Sequence, residues 1–435
     1  MSSPRLGIES GKVILVAGVL VHLSMLLSLQ WGFLNPLFDD AQHRSGQGVD
    51  FYSVVQAGKN LVDGVSVYST KPVEQIVPYY NPYRYHPFVA GTIGLLSILL
   101  RPDISYILWV LIQEGLLLLN ILLTRSLFSD ARSAAEATGL WLLFSPYYLE
   151  LYMGQFSFLM GSLLFWSMLA WMKGRERPGD ISWVLSLMVK SNSGVFVPVL
   201  LKLGRWKFVV AAGATSIAIA IPYFIAQPGS LADFSRNFTE SAKAQTLFGN
   251  QGFAALLGVV VLRSAGVWSD FVHEFALRIE TMNEMLILPL AAWTVIVVAL
   301  ALVVTVRTSR DSGMALLLLW ILAYFLFYKH VWEHQYVMMI PFFVLLYHQI
   351  KKGMLTIPLS FFWIVFSIVA LPTGFVFIDR SPVLFDPEIQ WRTWESILFH
   401  GPKPLAVLAL FIALCVQLLR AREKPPASHS YQGVS

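Results

Sequence analysis

Asp50, in the run Gly48, Val49, Asp50, Phe51, Tyr52, precedes apolar residues at Phe51, Val54, Val55, Gly58, Leu61 and Val62. That is the spacing of one helical face, and it predicts an amphipathic helix along a membrane surface with the carboxylate at its start. A carboxylate held there can take a proton from a hydroxyl-bearing acceptor on the aqueous side while a lipid-linked donor approaches from the bilayer. Aspartate is equally suited to cap a helix N-terminus through its backbone bonds alone, and the local sequence leaves both readings open. A second pair of carboxylates, Asp39 and Asp40, can divide base and metal-binding roles or stand as solvated loop charges.

Cations come next. Lys190, in Lys190, Ser191, Asn192, Ser193, interrupts an apolar segment. An ammonium there either meets a lipid phosphate or extends its stem to an interface. Arg84, in Tyr83, Arg84, Tyr85, His86, Pro87, is a second phosphate ligand or a surface charge. His334 opens an apolar segment beside Glu333, a carboxylate able to orient the ring or raise its proton affinity. The uncharged sets Gly154, Gln155 and Gly249, Asn250, Gln251 adjoin membrane segments, where they can bond sugar hydroxyls or satisfy backbone at helix breaks. No phosphate-binding glycine loop, paired-cysteine site, HExxH or Rossmann pattern is present, which argues against a nucleotide-using soluble domain.

The elements carrying these groups belong to a membrane protein. Of 435 residues, 56% are hydrophobic and 13% charged, more apolar side chain than a soluble fold of this length can hide. The net charge of +5 lies in short loops, as the positive-inside bias predicts, and gives no case for nucleic acid. The sole cysteine, Cys415, excludes an intramolecular disulfide. Val13 to Leu29 follows Arg5 and Lys12 and has no small-residue cleavage site, so it reads as an uncleaved span with a cytoplasmic N-terminus. Apolar stretches, among them Ala134 to Tyr148, Phe208 to Ile225 and Leu355 to Ile378, give about twelve crossings and a cytoplasmic C-terminus marked by Arg420, Arg422 and Lys424. Strict alternation puts Lys173, Arg175 and Arg177 outside. The preferred alternative makes Phe88 to Leu123 one net crossing and breaks Trp183 to Leu201 around Lys190. The expected organisation is a single all-α membrane domain over residues 1–424, with outer loops at 35–87, 227–284, 329–334 and 379–403 and a disordered cytoplasmic tail from Pro425.

Taken in order, Gly48 to Tyr52 with Ala57, Gly58, Gly64 and Tyr68, then Tyr83 to Pro87, Gly154, Gln155, Lys190, Gly249 to Gln251 and Trp332 to His334, the sequence resembles the polyprenyl-phosphate-dependent glycosyltransferases of family 87. Three positions depart from that pattern: His86, Pro87 where two prolines are common, Ser191 where a proline follows the lysine, and Glu333 where aspartate is usual. The resemblance implies a GT-C fold whose long first outer loop carries juxtamembrane helices. It implies an inverting transferase of the inner membrane, with its active site on the extracytoplasmic side. The donor would be polyprenyl-phosphate mannose and the acceptor a glycolipid or glycan. Carried over, the family's base is Asp50 and its donor-phosphate histidine is His334; beside these, Lys190 and Arg84 are the further candidate donor-phosphate ligands, and Tyr52, Gln155, Asn250, Gln251 and Glu333 the candidate substrate contacts. No metal or other cofactor is required on this reading, because cationic side chains serve the phosphate. An arabinofuranosyltransferase of the same fold, or a flippase of lipid-linked saccharides using Lys190 and broken helices, are the rival readings.

Overall fold

The computed structural model describes residues 4–38, 41, 46–243, 249–264, 275–373, 378 and 391–421. Asp39, Asp40, Asp386 and the tail from Pro425 lie outside the described residues. The described residues form helices and no strand beyond an isolated bridge between Asn250 and Trp332.

In chain order the helices are α1 (Pro4–Trp31), α2 (Val49–Val62), α3 (Pro87–Ser97), α4 (Pro102–Arg125), α5 (Ala131–Leu142), α6 (Pro146–Met153) and α7 (Ser157–Met172). After these come α8 (Glu176–Val189), α9 (Val197–Lys202), α10 (Trp206–Ala226), α11 (Ser230–Lys243), α12 (Phe253–Ser264) and α13 (Phe275–Arg307). The last are α14 (Gly313–Phe327), α15 (Ile340–Lys351), α16 (Leu359–Ala370), α17 (Thr393–His400) and α18 (Pro402–Ala421).

Six of these segments are long and apolar enough to cross a bilayer: Gly11–Trp31, Pro102–Arg125, Trp206–Ala226, Met285–Arg307, Arg310–Phe327 and Pro402–Arg420. A seventh arises if α6 and α7, bent by 119° at their junction, are taken together. The chain is therefore a multi-pass helical membrane protein. The larger expected count includes apolar stretches that are subdivided in the structure. Ala134 to Tyr148 is cut between α5 and α6, where Pro146 begins a new helix. Among the described residues of Leu355 to Ile378, helix is confined to the 12 residues of α16, about 18 Å at 1.5 Å per residue against a hydrocarbon core of about 30 Å. Trp183 to Leu201 breaks at Lys190, whose backbone is extended (φ −146°, ψ 126°), and resumes as a 3₁₀ turn over Ser191–Phe196 leading into α9. That break is the one the preferred topology places there.

The helix carrying Asp50 differs from a surface-lying one. Ten of the 14 residues of α2 are buried, including the polar Ser53, Gln56 and Asn60, so protein covers most of its circumference. Gln56 donates to Asn60 Oδ1 (3.1 Å) and to the Glu74 carbonyl (2.8 Å) and accepts from the Ile76 N–H (3.0 Å). This fixes the proline-rich loop over one side of α2. The loop is closed further by Tyr68 donating to the Tyr85 carbonyl (3.0 Å) and Asn237 donating to the Tyr68 carbonyl (2.8 Å). Irregular backbone at a membrane is stable when protein groups satisfy it, and this loop meets that condition.

On another side α2 crosses α3 with backbones nearly touching. A Cβ at Gly58 would lie 2.3 Å from the Gly94 carbonyl carbon. Gly58→Val is accordingly expected to destabilise the fold by about 1–3 kcal/mol through overpacking, read as a lower thermal midpoint in detergent. Gly115→Ala serves as its control, since a Cβ at that helical position meets nothing within 4 Å. An unchanged midpoint for Gly58→Val would refute this packing.

Candidate active site

Asp50 occupies the second position of α2. The N-cap is Gly48, in the left-handed region at φ 76°, and it makes no side-chain capping bond. The carboxylate is therefore not spent on capping, the alternative that the sequence left open. What holds it is the elbow between α6 and α7. There the Gly48 N–H donates to the Tyr152 carbonyl (2.7 Å), and Gly154 turns the chain at φ 68°. A Cβ on Gly154 would sit 2.6 Å from the Phe51 Cβ, so only glycine lets the elbow close onto α2.

That approach delivers Gln155 to the carboxylate. Gln155 Nε2 donates to Asp50 Oδ2 at 2.5 Å, and Gln155 Oε1 accepts from Lys190 Nζ at 3.1 Å. Lys190 also donates to Ser157 Oγ (2.7 Å), the first residue of α7, and its ammonium lies 5.9 Å from the Tyr85 ring centroid. The extended backbone at the α8 break swings Lys190 to this position, and Asn192 two residues on fixes the break by donating to Tyr324 Oη of α14 (2.6 Å).

Further charges converge on the same place. Arg84, exposed at the loop rim, lies within electrostatic reach of Asp50 and of His330. Lys190 is likewise within reach of both Asp50 and His334. Burial raises the proton affinity of Asp50, an effect opposed by Lys190, Arg84 and hydrogen bonds from Gln155 and Asn81. Burial, reinforced by Lys190, pushes the His334 imidazole well below its usual range, so the ring is neutral at pH 7. Its Nδ1 is buried without a hydrogen-bond partner among the described residues. The expectation that Glu333 orients this ring or raises its basicity is corrected here: successive side chains of a 3₁₀ turn diverge, and the Glu333 carboxylate bonds elsewhere. His330 behaves similarly, pushed down to about 4 by burial and by Lys329 and Arg84.

The structure thus brings Asp50, Arg84, Gln155, Lys190 and His334 together. It places the remaining expected residues differently. Tyr52 is buried in an aromatic cluster with Phe51, Tyr79 and Tyr106. Asn250 ties its loop to the 329–331 turn, donating to the Lys329 carbonyl (2.6 Å) and accepting from the Val331 N–H (3.1 Å). Gln251 donates to Glu333 Oε2 (3.1 Å) and to Thr373 Oγ1 (3.1 Å). Asn250, Gln251 and Glu333 brace the turn that carries His334.

Glu150 escaped the sequence reading. It is fully buried on α6, accepts the Phe158 N–H at the start of α7 through Oε1 (2.6 Å), and lies within electrostatic reach of Lys190 and Asp50. The rule that singled out Lys190, an ionisable group inside an apolar stretch, applies equally to this acid. Asn81 and His330 were also missed, and nothing in their local sequence distinguishes them from ordinary loop residues.

The site can therefore hold a base and a set of cationic or N–H donors facing an anion. Residues 83–329, more than half of the chain, match glycosyltransferase family 87. Asp50 precedes the matched stretch and His334 follows it, whereas Arg84, Gln155 and Lys190 lie within it. No curated protein matches the chain. The match covers the elements that carry Arg84, Gln155 and Lys190 in a helical membrane protein, and the chain belongs to glycosyltransferase family 87, whose members are membrane glycosyltransferases.

Proposed function

We propose that this glycosyltransferase moves a sugar, mannose in the first instance, from a polyprenyl-phosphate donor to a glycolipid or glycan hydroxyl. The reaction would take place on the outer face of the inner membrane, in a GT-C arrangement. The observation that carries this reading is the Asp50–Gln155–Lys190 chain, which sets a base and a cation at a fixed separation with His334 and Arg84 nearby.

In a single displacement, Asp50 takes the proton of the acceptor hydroxyl as that oxygen bonds to the anomeric carbon. The bond from that carbon to the phosphate oxygen breaks, its electron pair leaving with the polyprenyl phosphate, and configuration inverts. Lys190 and Arg84 supply positive charge to the departing phosphate, and the neutral His334 donates a hydrogen bond to it. The donor is already lipid-borne, so no soluble nucleotide domain is needed.

Purified protein given polyprenyl-phosphate mannose and candidate acceptors should form a new glycosidic bond, detected by mass spectrometry. Transbilayer movement without bond formation would overturn the reading.

A pH dependence follows from Asp50. A base works only when deprotonated, so kcat/KM falls as pH drops through its pKa. Because burial raises that pKa, the acid limb should lie above the ordinary aspartate value of 3.8. A pH–rate profile of the free enzyme measures it, and a limb at or below the ordinary value would contradict the buried environment.

A further inference from the structure

Glu333 and Lys403 form an ion pair, Oε1 to Nζ 3.1 Å, with each side chain only 2% exposed. Lys403 stands in the first turn of α18, far along the chain from the site. Its ammonium also donates to the carbonyls of Val369 (2.8 Å) and Leu371 (2.7 Å) at the end of α16, so all three of its donors are used. The ring of Tyr336 lies 5.5 Å from the same ammonium.

The carboxylate is equally occupied. Glu333 Oε1 accepts the Thr373 N–H (3.2 Å), and Oε2 accepts from Thr373 Oγ1 and from Gln251 Nε2, each at 3.1 Å. Gln251 closes the network through its backbone, donating its N–H to the Val331 carbonyl (2.7 Å) and accepting Tyr336 Oη at its own carbonyl (2.8 Å). These bonds grip the turn at residues 331, 333 and 336, on both sides of His334.

Among the described residues no hydrogen bond holds the His334 ring at Nδ1, whereas the backbone on both sides of it is tied down by these bonds. A buried ion pair adds little net stability, because desolvation offsets its Coulombic gain. Fixing geometry is the better reason for keeping one here.

We propose that Lys403 is a positioning residue: through Glu333 it locks the turn that presents His334 to the donor phosphate. The inference rests on the reading of His334 as a phosphate ligand. It makes the C-terminal helix, which lies beyond the matched stretch, part of the donor site.

The test uses the full chain with polyprenyl-phosphate mannose and compares Glu333→Gln/Lys403→Met, which leaves no orphan charge, with His334→Ala, the triple variant and Lys403→Arg. His334→Ala should raise the donor KM about 10- to 100-fold, the worth of a hydrogen bond to a charged group. The Glu333→Gln/Lys403→Met variant should raise the donor KM in the same range and leave the acceptor KM unchanged. On the His334→Ala background it should add no further rise. Lys403→Arg, which keeps charge and donors, should recover most of the donor affinity.

A general structural role would shift both KM values and would add fully on the His334→Ala background, and that result overturns the proposal. So does an unchanged donor KM in Glu333→Gln/Lys403→Met. If His334→Ala itself leaves the donor KM unchanged, the phosphate-ligand reading fails, and this inference falls with it by a separately recognisable result.

Discussion

Replacing Asp50 with asparagine is expected to lower kcat by about 10²- to 10⁴-fold, the range general base catalysis supplies. Asparagine is nearly isosteric and its Oδ1 can still accept the bond from Gln155 Nε2, so the elbow against α2 should survive. What disappears is the capacity to take the acceptor proton. Donor affinity should stay within a few-fold of its starting value, because the phosphate contacts come from other residues. Single-turnover assays with a polyprenyl-phosphate sugar separate the two quantities. Unimpaired transfer by Asp50→Asn would remove Asp50 from the chemistry, whatever its surroundings.

The second large effect is expected at Lys190. Lys190→Met removes the cation that Asp50 and Glu150 share and that is proposed to meet the departing phosphate. Losing one electrostatic stabiliser of a leaving group typically slows transfer by about 10²- to 10³-fold. Stability should drop as well, by about 1–3 kcal/mol, because the buried Glu150 loses the positive charge within electrostatic reach of it. The two losses can be separated. Adding Glu150→Gln removes the acid that the lysine stabilised and should return the melting temperature toward that of the unsubstituted protein while turnover remains low. Recovery of turnover along with stability in that double variant would show that Lys190 acts on Glu150 alone and not on the reaction.

Much of this site was legible because its rules are local. Asp50 stands out before a helical apolar pattern, Lys190 is a charge in an apolar run, and the break around it follows from the cost of burying an ammonium inside a span. The ends of the long apolar helices also fall close to the limits of the apolar stretches, as for Phe208 to Ile225 within α10. What the sequence hid depends on contacts between distant segments. The partnership of Glu333 with Lys403 joins residues 70 positions apart, and no local pattern announces it. The coverage of α2 was hidden for the same reason: its period predicts one apolar face, but the proline-rich loop packs over the polar Gln56 and Asn60 and buries them too. The roles of Asn250 and Gln251 required the bridge to Trp332, which pairs residues 82 positions apart. Glu150 is the exception. It is a single acid in an apolar run, marked by the same rule as Lys190.

The amide of Gln155 separates Asp50 from Lys190 while bonding to both. A carboxylate in direct contact with an ammonium would form a mutually quenched couple, and its lone pair would be a poor sink for a hydroxyl hydrogen. The intervening carboxamide prevents that short circuit, and because an amide does not readily relay hydrogen ions, the lysine cannot top up the acid from behind. With Asp50 as the proposed base, each catalytic cycle must then return its proton to water rather than to the lysine, so the reset of the enzyme needs a wetted path to that carboxylate.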